Sequence, residues 1–254
     1  MLKTTATPIK FTCQYCHKDF AREASLAVHV CEQKRRRQER SERGVELGYQ
    51  AYIRFYELSQ GSAKLKTFDD FADSPYYKAF VKFGRYCVNT RTINPKQFLE
   101  WLLKHNKKID RWASDQLYTE YLLYYLRVEN IADALARAVE FGIDWGEKNS
   151  ANPNDCLRYG NHNAICYAIT SGRISPWVIY NSESGQKFLT EINSEQLAMI
   201  WPYIDSDFWQ KRFADYTADQ EYAKDILAKA GWKYDQRNHR RHRTTSQQRL
   251  HKLA

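Results

Sequence analysis

The chain of 254 residues is 43% hydrophobic and 15% aromatic, which allows one or two domains with cores of their own and excludes a wholly disordered chain. Ten Gly and six Pro argue against a collagen-like or Gly-rich all-β chain. No apolar run approaches the roughly 18 residues of a membrane-spanning helix, so no membrane partner is expected. The net charge of +9 is uneven: residues 1–43 hold ten Lys/Arg against five Asp/Glu, residues 232–254 hold seven against one, and residues 44–231 hold 22 against 24.

In chain order, residues 1–10 read as a flexible arm. MLKTTATPIKFTC lacks the apolar segment of a secretory signal, so an intracellular, cytoplasmic setting is expected, the host cytoplasm if the protein is viral. In that reducing setting, spaced cysteines suggest metal rather than disulfides. Residues 11–31 carry such a pattern: Phe11-x-Cys13-x2-Cys16-x3-Phe20-x5-Leu26-x2-His29. A tight turn between two short strands lets Cys13 and Cys16 face one ion, and a following helix brings His29 to it. Phe11, Phe20 and Leu26 supply the small apolar cluster that a domain of this size needs beside its metal.

This segment resembles a C2H2-type zinc finger. The resemblance implies a ββα fold, a bound Zn2+ and a fourth ligand separated from His29 by three to five residues, where the chain offers Gln33, Lys34 and Arg35. The nearest candidate is Cys31, giving a C2HC ending; His17 is the alternative. Residues two apart on a helix point about 200° apart, so Cys31 can join His29 only if the helix unwinds or tightens after His29. The resemblance also implies base-edge contacts near positions 22, 25 and 28. Arg22 suits guanine and Ser25 either base type, whereas Val28 is a poor reader. One finger buries too little surface for tight sequence-specific binding, so backbone-directed binding or protein docking is expected.

From Glu32, EQKRRRQERSER and VELGYQAYIRFYEL read as one basic connecting helix over 32–58, apolar at Val45, Tyr49, Tyr52, Ile53 and Tyr56, with Gly44 and Gly48 as points for a kink. Lys34, Arg35, Arg36 and Arg37 are candidate phosphate contacts. QGSAK (60–64) is a turn. The body, 67–231, reads as helices whose starts are marked by Ser74-Pro75, Asn94-Pro95, Ser114, Ser175-Pro176 and Asn193 or Ser194. No Asn-Gly or Asp-Gly hairpin signal joins alternating strands. The loop 146–155 is a candidate break between two lobes. From Trp232 to residue 254 the chain reads as a disordered basic tail, with Arg237, Arg240, Arg241 and Arg243 as further phosphate contacts.

Other constellations read as structural. Cys156, His162 and Cys166 match no ligand knuckle, and Cys87 fits an apolar helix face. Asp69-Asp70 and Asp205-x-Asp207 could hold Mg2+, yet Thr67 with Asp70 and Asp205 with Phe208 fit helix starts. Tyr118, Tyr121, Tyr124, Tyr125, Trp177, Trp201 and Trp209 suit a core better than a stacking platform for single strands. No Gly-rich phosphate loop, GxSxG or HExxH is present, so no enzymatic activity is expected. The body is also somewhat similar to the all-helical helicase-loading protein of tailed phages, through Lys82-Phe83, Tyr86, Trp112 before Asp115, Tyr118-x2-Tyr121-Leu122 and Asn152-Pro153. That resemblance implies forked DNA, a replicative helicase and a single-strand-binding protein as partners.

The expected fold is therefore mainly α: a small ββα zinc finger, a basic helix, and a one- or two-lobed helical body. The expected function is that of a zinc-dependent, non-enzymatic accessory protein that binds DNA or RNA through phosphate contacts and a protein partner through its body, acting in DNA replication or transcription. The alternative is a structural or assembly protein whose finger docks a protein partner.

Overall fold

The computed structural model describes residues 10–61 and 65–233, mainly α-helical with one two-stranded sheet. The described residues fall into two compact units, divided between Tyr118 and Thr119. The loop at 146–155 thus lies inside the second unit.

The first unit opens with β1 (Phe11–Thr12) and β2 (Asp19–Phe20), antiparallel with Phe11 opposite Phe20, followed by α1 (Glu23–Ala27). The basic segment is not one helix. It breaks into α2 (Glu32–Gln38), a 3-10 turn at Glu39–Ser41, and α3 (Arg43–Gln60). Next come α4 (Phe68–Asp73), α5 (Tyr77–Thr90) and α6 (Pro95–Lys104). Caps account for two of these starts. Thr67 and Asp70 form a reciprocal capping box, and the Asn94 side chain accepts from the Gln97 N–H ahead of Pro95. At Ser74-Pro75 the chain instead makes a turn, and regular helix begins at Tyr77.

Gly44 and Gly48 leave α3 unbroken from Arg43 to Gln60. They lie where α3 crosses α5, facing Gly84: a Cβ on Gly84 would meet the Gly44 carbonyl oxygen and the Gly48 nitrogen. Around this crossing sits an aromatic core. Phe80 stacks edge-on against Tyr52 and Trp112, and the Trp112 Nε1–H donates to the Lys107 carbonyl at 2.8 Å.

The helix α7 (Asp115–Val128) carries the division between the units. The second unit continues with α8 (Ile131–Asn149), α9 (Cys156–Tyr159), α10 (His162–Thr170), α11 (Pro176–Asn181), α12 (Glu183–Glu191), α13 (Ser194–Ile204), α14 (Ser206–Asp215) and α15 (Thr217–Lys229). Side chains of Asn130, Asn161, Ser175, Ser182, Asn193 and Asp205 cap helix starts in turn. Trp177, Trp209 and Phe213 form an aromatic cluster within one core that also buries Cys156 and Cys166. Trp232 belongs to this core as well, and the Lys233 carbonyl accepts from the Glu183 N–H, so packing continues into the segment read as a tail.

Sequence reasoning passed over Glu129. Its side chain is fully buried, accepts from Arg137 Nη2 at 2.9 and 2.7 Å, and lies 3.5 Å from the Ser175 hydroxyl. Burial pushes its carboxyl up to about 7, an effect that the Arg137 guanidinium only partly offsets. A folded pKa above the unfolded value means that the folded state binds this proton more tightly. The contribution is therefore full below the unfolded value and is lost as pH rises through about 7. The stability of Glu129→Gln relative to wild type should accordingly rise by about 2–3 kcal/mol between pH 5 and pH 8, read from urea midpoints of the second unit's unfolding. A pH-independent difference would show that the carboxylate stays charged against Arg137 throughout.

Candidate metal centre

The turn between β1 and β2 is built by two backbone bonds: the Cys13 N–H donates to the Lys18 carbonyl at 2.9 Å, and the His17 N–H donates to the Cys13 carbonyl at 2.8 Å. His17 takes a left-handed conformation, with φ of 57°, and its exposed side chain is not part of the Cys13, Cys16, His29 and Cys31 cluster. The turn leaves Cys13 buried and Cys16 half-buried on one side. Backbone N–H groups of Cys16 and Tyr15 face the Cys13 sulfur and hold its thiol below the usual range, which favours the thiolate that binds metal.

The finger helix ends earlier than expected. α1 stops at Ala27, and the His29 N–H makes a tight three-residue bond to the Leu26 carbonyl. His29 therefore stands beyond the helix and escapes the angular constraint that opposed Cys31. The chain then extends, with φ of −97° and ψ of 165° at Cys31, which serves as N-cap of α2. Its sulfur accepts from the Lys34 N–H at 3.4 Å. The ligand atoms of Cys13, Cys16, His29 and Cys31 all lie within 4.8 Å of one another, and Cys16 Sγ is 3.3 Å from His29 Nε2. Metal–ligand bonds of about 2.0–2.3 Å at tetrahedral angles give ligand–ligand edges of about 3.5–3.8 Å, so donors at most 4.8 Å apart need to close by no more than about 1 Å to share one ion. The Phe20 ring packs 4.7 Å from the His29 ring and completes the small apolar side. The arrangement is compatible with a zinc finger, and the cluster could hold a metal ion. Among the described residues no other group of His, Cys, Asp or Glu is so placed. Cys156 and Cys166 are buried in the second core, and the His162 ring packs edge-on against Phe188.

This geometry makes the fourth ligand testable. Cys31→Ser should weaken metal binding by more than about 100-fold, beyond the usual cost of losing an outer-shell partner, while His17→Ala should leave it unchanged. Competition titration with a chromogenic chelator reads both. The reverse order would place His17 in the site.

The candidate phosphate contacts separate into two groups. Arg22 and Ser25 are exposed on the finger, and no side-chain partner holds either among the described residues. Arg35 is 60% exposed, with only a 3.8 Å contact to Glu39. Lys34 reaches the His29 carbonyl at 3.4 Å. Arg36 and Arg37 are engaged inside the chain. Arg36 donates to the Ala72 carbonyl and to Glu32 at 2.7 Å each and lies over the Tyr77 ring. Arg37 pairs with Asp69 at 2.8 Å and Asp73 at 2.9 Å and lies over the Tyr15 ring. They fasten α2 to α4 and α5, and Arg37 also reaches the finger turn. Asp69 is thus an ion-pair partner and Asp70 a capping residue. Asp205 caps α14 and pairs with Arg127 at 3.0 Å. Arg237, Arg240, Arg241 and Arg243 lie outside the described residues.

Of the aromatics weighed for stacking, Tyr118, Tyr121, Tyr125, Trp177 and Trp209 are buried, whereas Tyr124 is exposed. No helix among the described residues is long and apolar enough to cross a membrane. The chain matches no protein-family model, no curated protein and no solved structure.

Proposed function

We propose that the chain is a zinc-binding, non-enzymatic accessory protein that binds nucleic acid. The observation that carries the metal assignment is the set of three sulfurs and one imidazole nitrogen gathered within 4.8 Å. Soft thiolates with one imidazole suit zinc, and four protein ligands leave no open position, so bound zinc would supply folding free energy rather than catalysis. Cys13, Cys16, His29 and Cys31 would hold it. Exposed Arg22 and Ser25, with Lys34 and Arg35, support a phosphate-directed surface beside it. The basic C-terminal residues add an electrostatic term. In the finer form of this reading the helical body recruits a replicative helicase at forked DNA, following its resemblance to helicase-loading proteins.

The test is a gel shift on duplex, forked and single-stranded DNA and on RNA, with and without chelator, beside a metal assay of protein purified without chelator. One zinc per chain and a shift that weakens steeply with salt are expected. A metal-free protein, or no shift on any substrate, overturns the reading. Deleting residues 234–254, which hold six Lys/Arg and one Asp, should weaken binding on all sequences alike. For every phosphate that the deletion leaves without its cation, the slope of log affinity against log salt should fall by about 0.7–0.9.

One observation favours a second reading. Val28 and Val30, flanking His29, are 79% and 65% exposed and form an apolar spot on the finger. A finger that docks a protein partner would use it, and that binding would change little with salt.

A further inference from the structure

We propose that the cleft between α2 and α5 is the site that takes the sugar-phosphate backbone of a nucleic-acid strand. The inference rests on the nucleic-acid reading above and places its main contact outside the finger. The cleft has a volume of about 700 Å³. Its lining holds five cationic residues, Arg35, Arg36, Lys78, Lys82 and Arg85, against two carboxylates, Glu32 and Glu39.

The two walls arise from helical spacing. On α5, Lys78, Lys82, Arg85 and Asn89 recur at four-, three- and four-residue steps, which puts them on one face. On α2 and the turn after it, Glu32, Arg35, Arg36 and Glu39 fall three, four and seven positions along, again on one face, and line the other side of the cleft.

The cations divide by role. Arg36 is held by Glu32 and the Ala72 carbonyl, and Arg85 by Glu42 and Glu39, so these two shape the walls. Arg35, Lys78 and Lys82 remain for a ligand. Arg35 touches Glu39 only at 3.8 Å. Lys78 is 76% exposed and reaches a Glu32 oxygen that Arg36 already holds more closely. Lys82 is exposed and has no ionic partner among the described residues, and the Asn89 amide is likewise unpartnered there.

A phosphodiester strand fits this lining better than an acidic polypeptide does. From position 78 to 89 the helix rises about 16 Å, which runs beside about five phosphates of one strand at about 3.4 Å each. The Arg35 fork and the Lys ammonium groups are phosphate donors. A polypeptide would need an apolar centre to bury its side chains, and the lining offers Val81, Ala113, the already covered Tyr77 and a half-buried Tyr86 whose hydroxyl donates to Asp115. Tyr77 is buried under Arg36, and the half-buried Tyr86 ring packs edge-on against Tyr118 with its hydroxyl on Asp115, so the cleft's contacts are mainly to phosphate and carry little base preference.

The test compares the full chain carrying Arg35→Gln, Lys78→Gln and Lys82→Gln with a control carrying Lys187→Gln, Lys211→Gln and Lys229→Gln in the second unit. Fluorescence anisotropy with a labelled oligonucleotide is read across a salt series. Zinc content and helical circular dichroism confirm that both variants are folded. The cleft variant should bind at least about tenfold more weakly near 0.1 M salt, with a slope smaller by about 2–2.7 because three phosphates go without a cation. The control should keep the wild-type slope. Equal losses in the two variants, or none in the cleft variant while wild type binds, overturn the cleft and leave the nucleic-acid reading standing. A wild-type chain that binds no nucleic acid overturns both. Polyglutamate binding as tightly as the oligonucleotide, with the same loss in the cleft variant, would reassign the cleft to an acidic protein partner.

Discussion

Cys13→Ser or Cys16→Ser should abolish zinc binding and unfold residues 10–31, while the helices from α2 onward keep their structure. The reason is the distribution of buried surface. The finger has a buried Cys13, half-buried Phe11, Phe20 and Leu26, and almost nothing else to hold it. In zinc-finger peptides the metal supplies about 10–16 kcal/mol of apparent free energy, which exceeds the whole stability of many domains. The α2 helix is secured separately, by Arg36 on the Ala72 carbonyl and by Arg37 on Asp69 and Asp73. Amide exchange should therefore show a boundary near Cys31: fast exchange before it in the variant, wild-type protection in α3 and α5 after it. If exchange also rises throughout α3 and α5, the metal holds the whole first unit. If it does not rise within 10–31, that segment has a core of its own and the metal is dispensable for its fold.

Gly84→Val should destabilise the first unit by about 3 kcal/mol or more, although it replaces a poor helix former. The atoms that a Cβ would meet are the Gly44 carbonyl oxygen and the Gly48 nitrogen. Both are backbone atoms and cannot rotate away, so α5 must move off α3 and open the contacts of Phe80 and Val81. For a unit of this size the loss corresponds to a fall in melting temperature of about 12–24 °C. Gly84→Ala isolates the effect: helix propensity alone would stabilise by about 1 kcal/mol, and the crossing reverses that sign. Gln50→Ala, exposed on the same α3, should stay within about 0.5 kcal/mol. A Gly84→Ala variant more stable than wild type would mean that the helices do not meet at this residue.

Much of the organisation is legible because it depends on residues close in the chain. A capping side chain reaches an N–H two or three residues on, so Thr67, Asn94, Ser175, Asn193 and Asp205 are visible in the sequence before any fold is known. The turn carrying Cys13 and Cys16 is equally local, and the apolar spacing of the helices separates core from surface at Tyr52, Tyr121 and Trp177. Cys31 is legible as a candidate ligand only through its type. That it meets His29 depends on α1 ending at Ala27, a boundary that no cap residue announces.

Short-range pattern thus encodes the helical class, several helix starts, the candidate sulfur–imidazole donors and the uneven charge. Tertiary structure alone decided which charges face solvent. Arg35, Arg36 and Arg37 are identical in type and adjacent, yet Arg35 is exposed while the other two are 13% and 21% exposed and fastened to residues 32 to 38 positions away. The same holds for Gly44, Gly48 and Gly84, whose lack of a side chain serves contact between two helices. It holds too for Glu129, made unusual by the core that closes over it. Propensity and periodicity act within a few residues of chain, whereas desolvation, ion pairing and backbone contact act through space, between segments whose meeting no local pattern encodes.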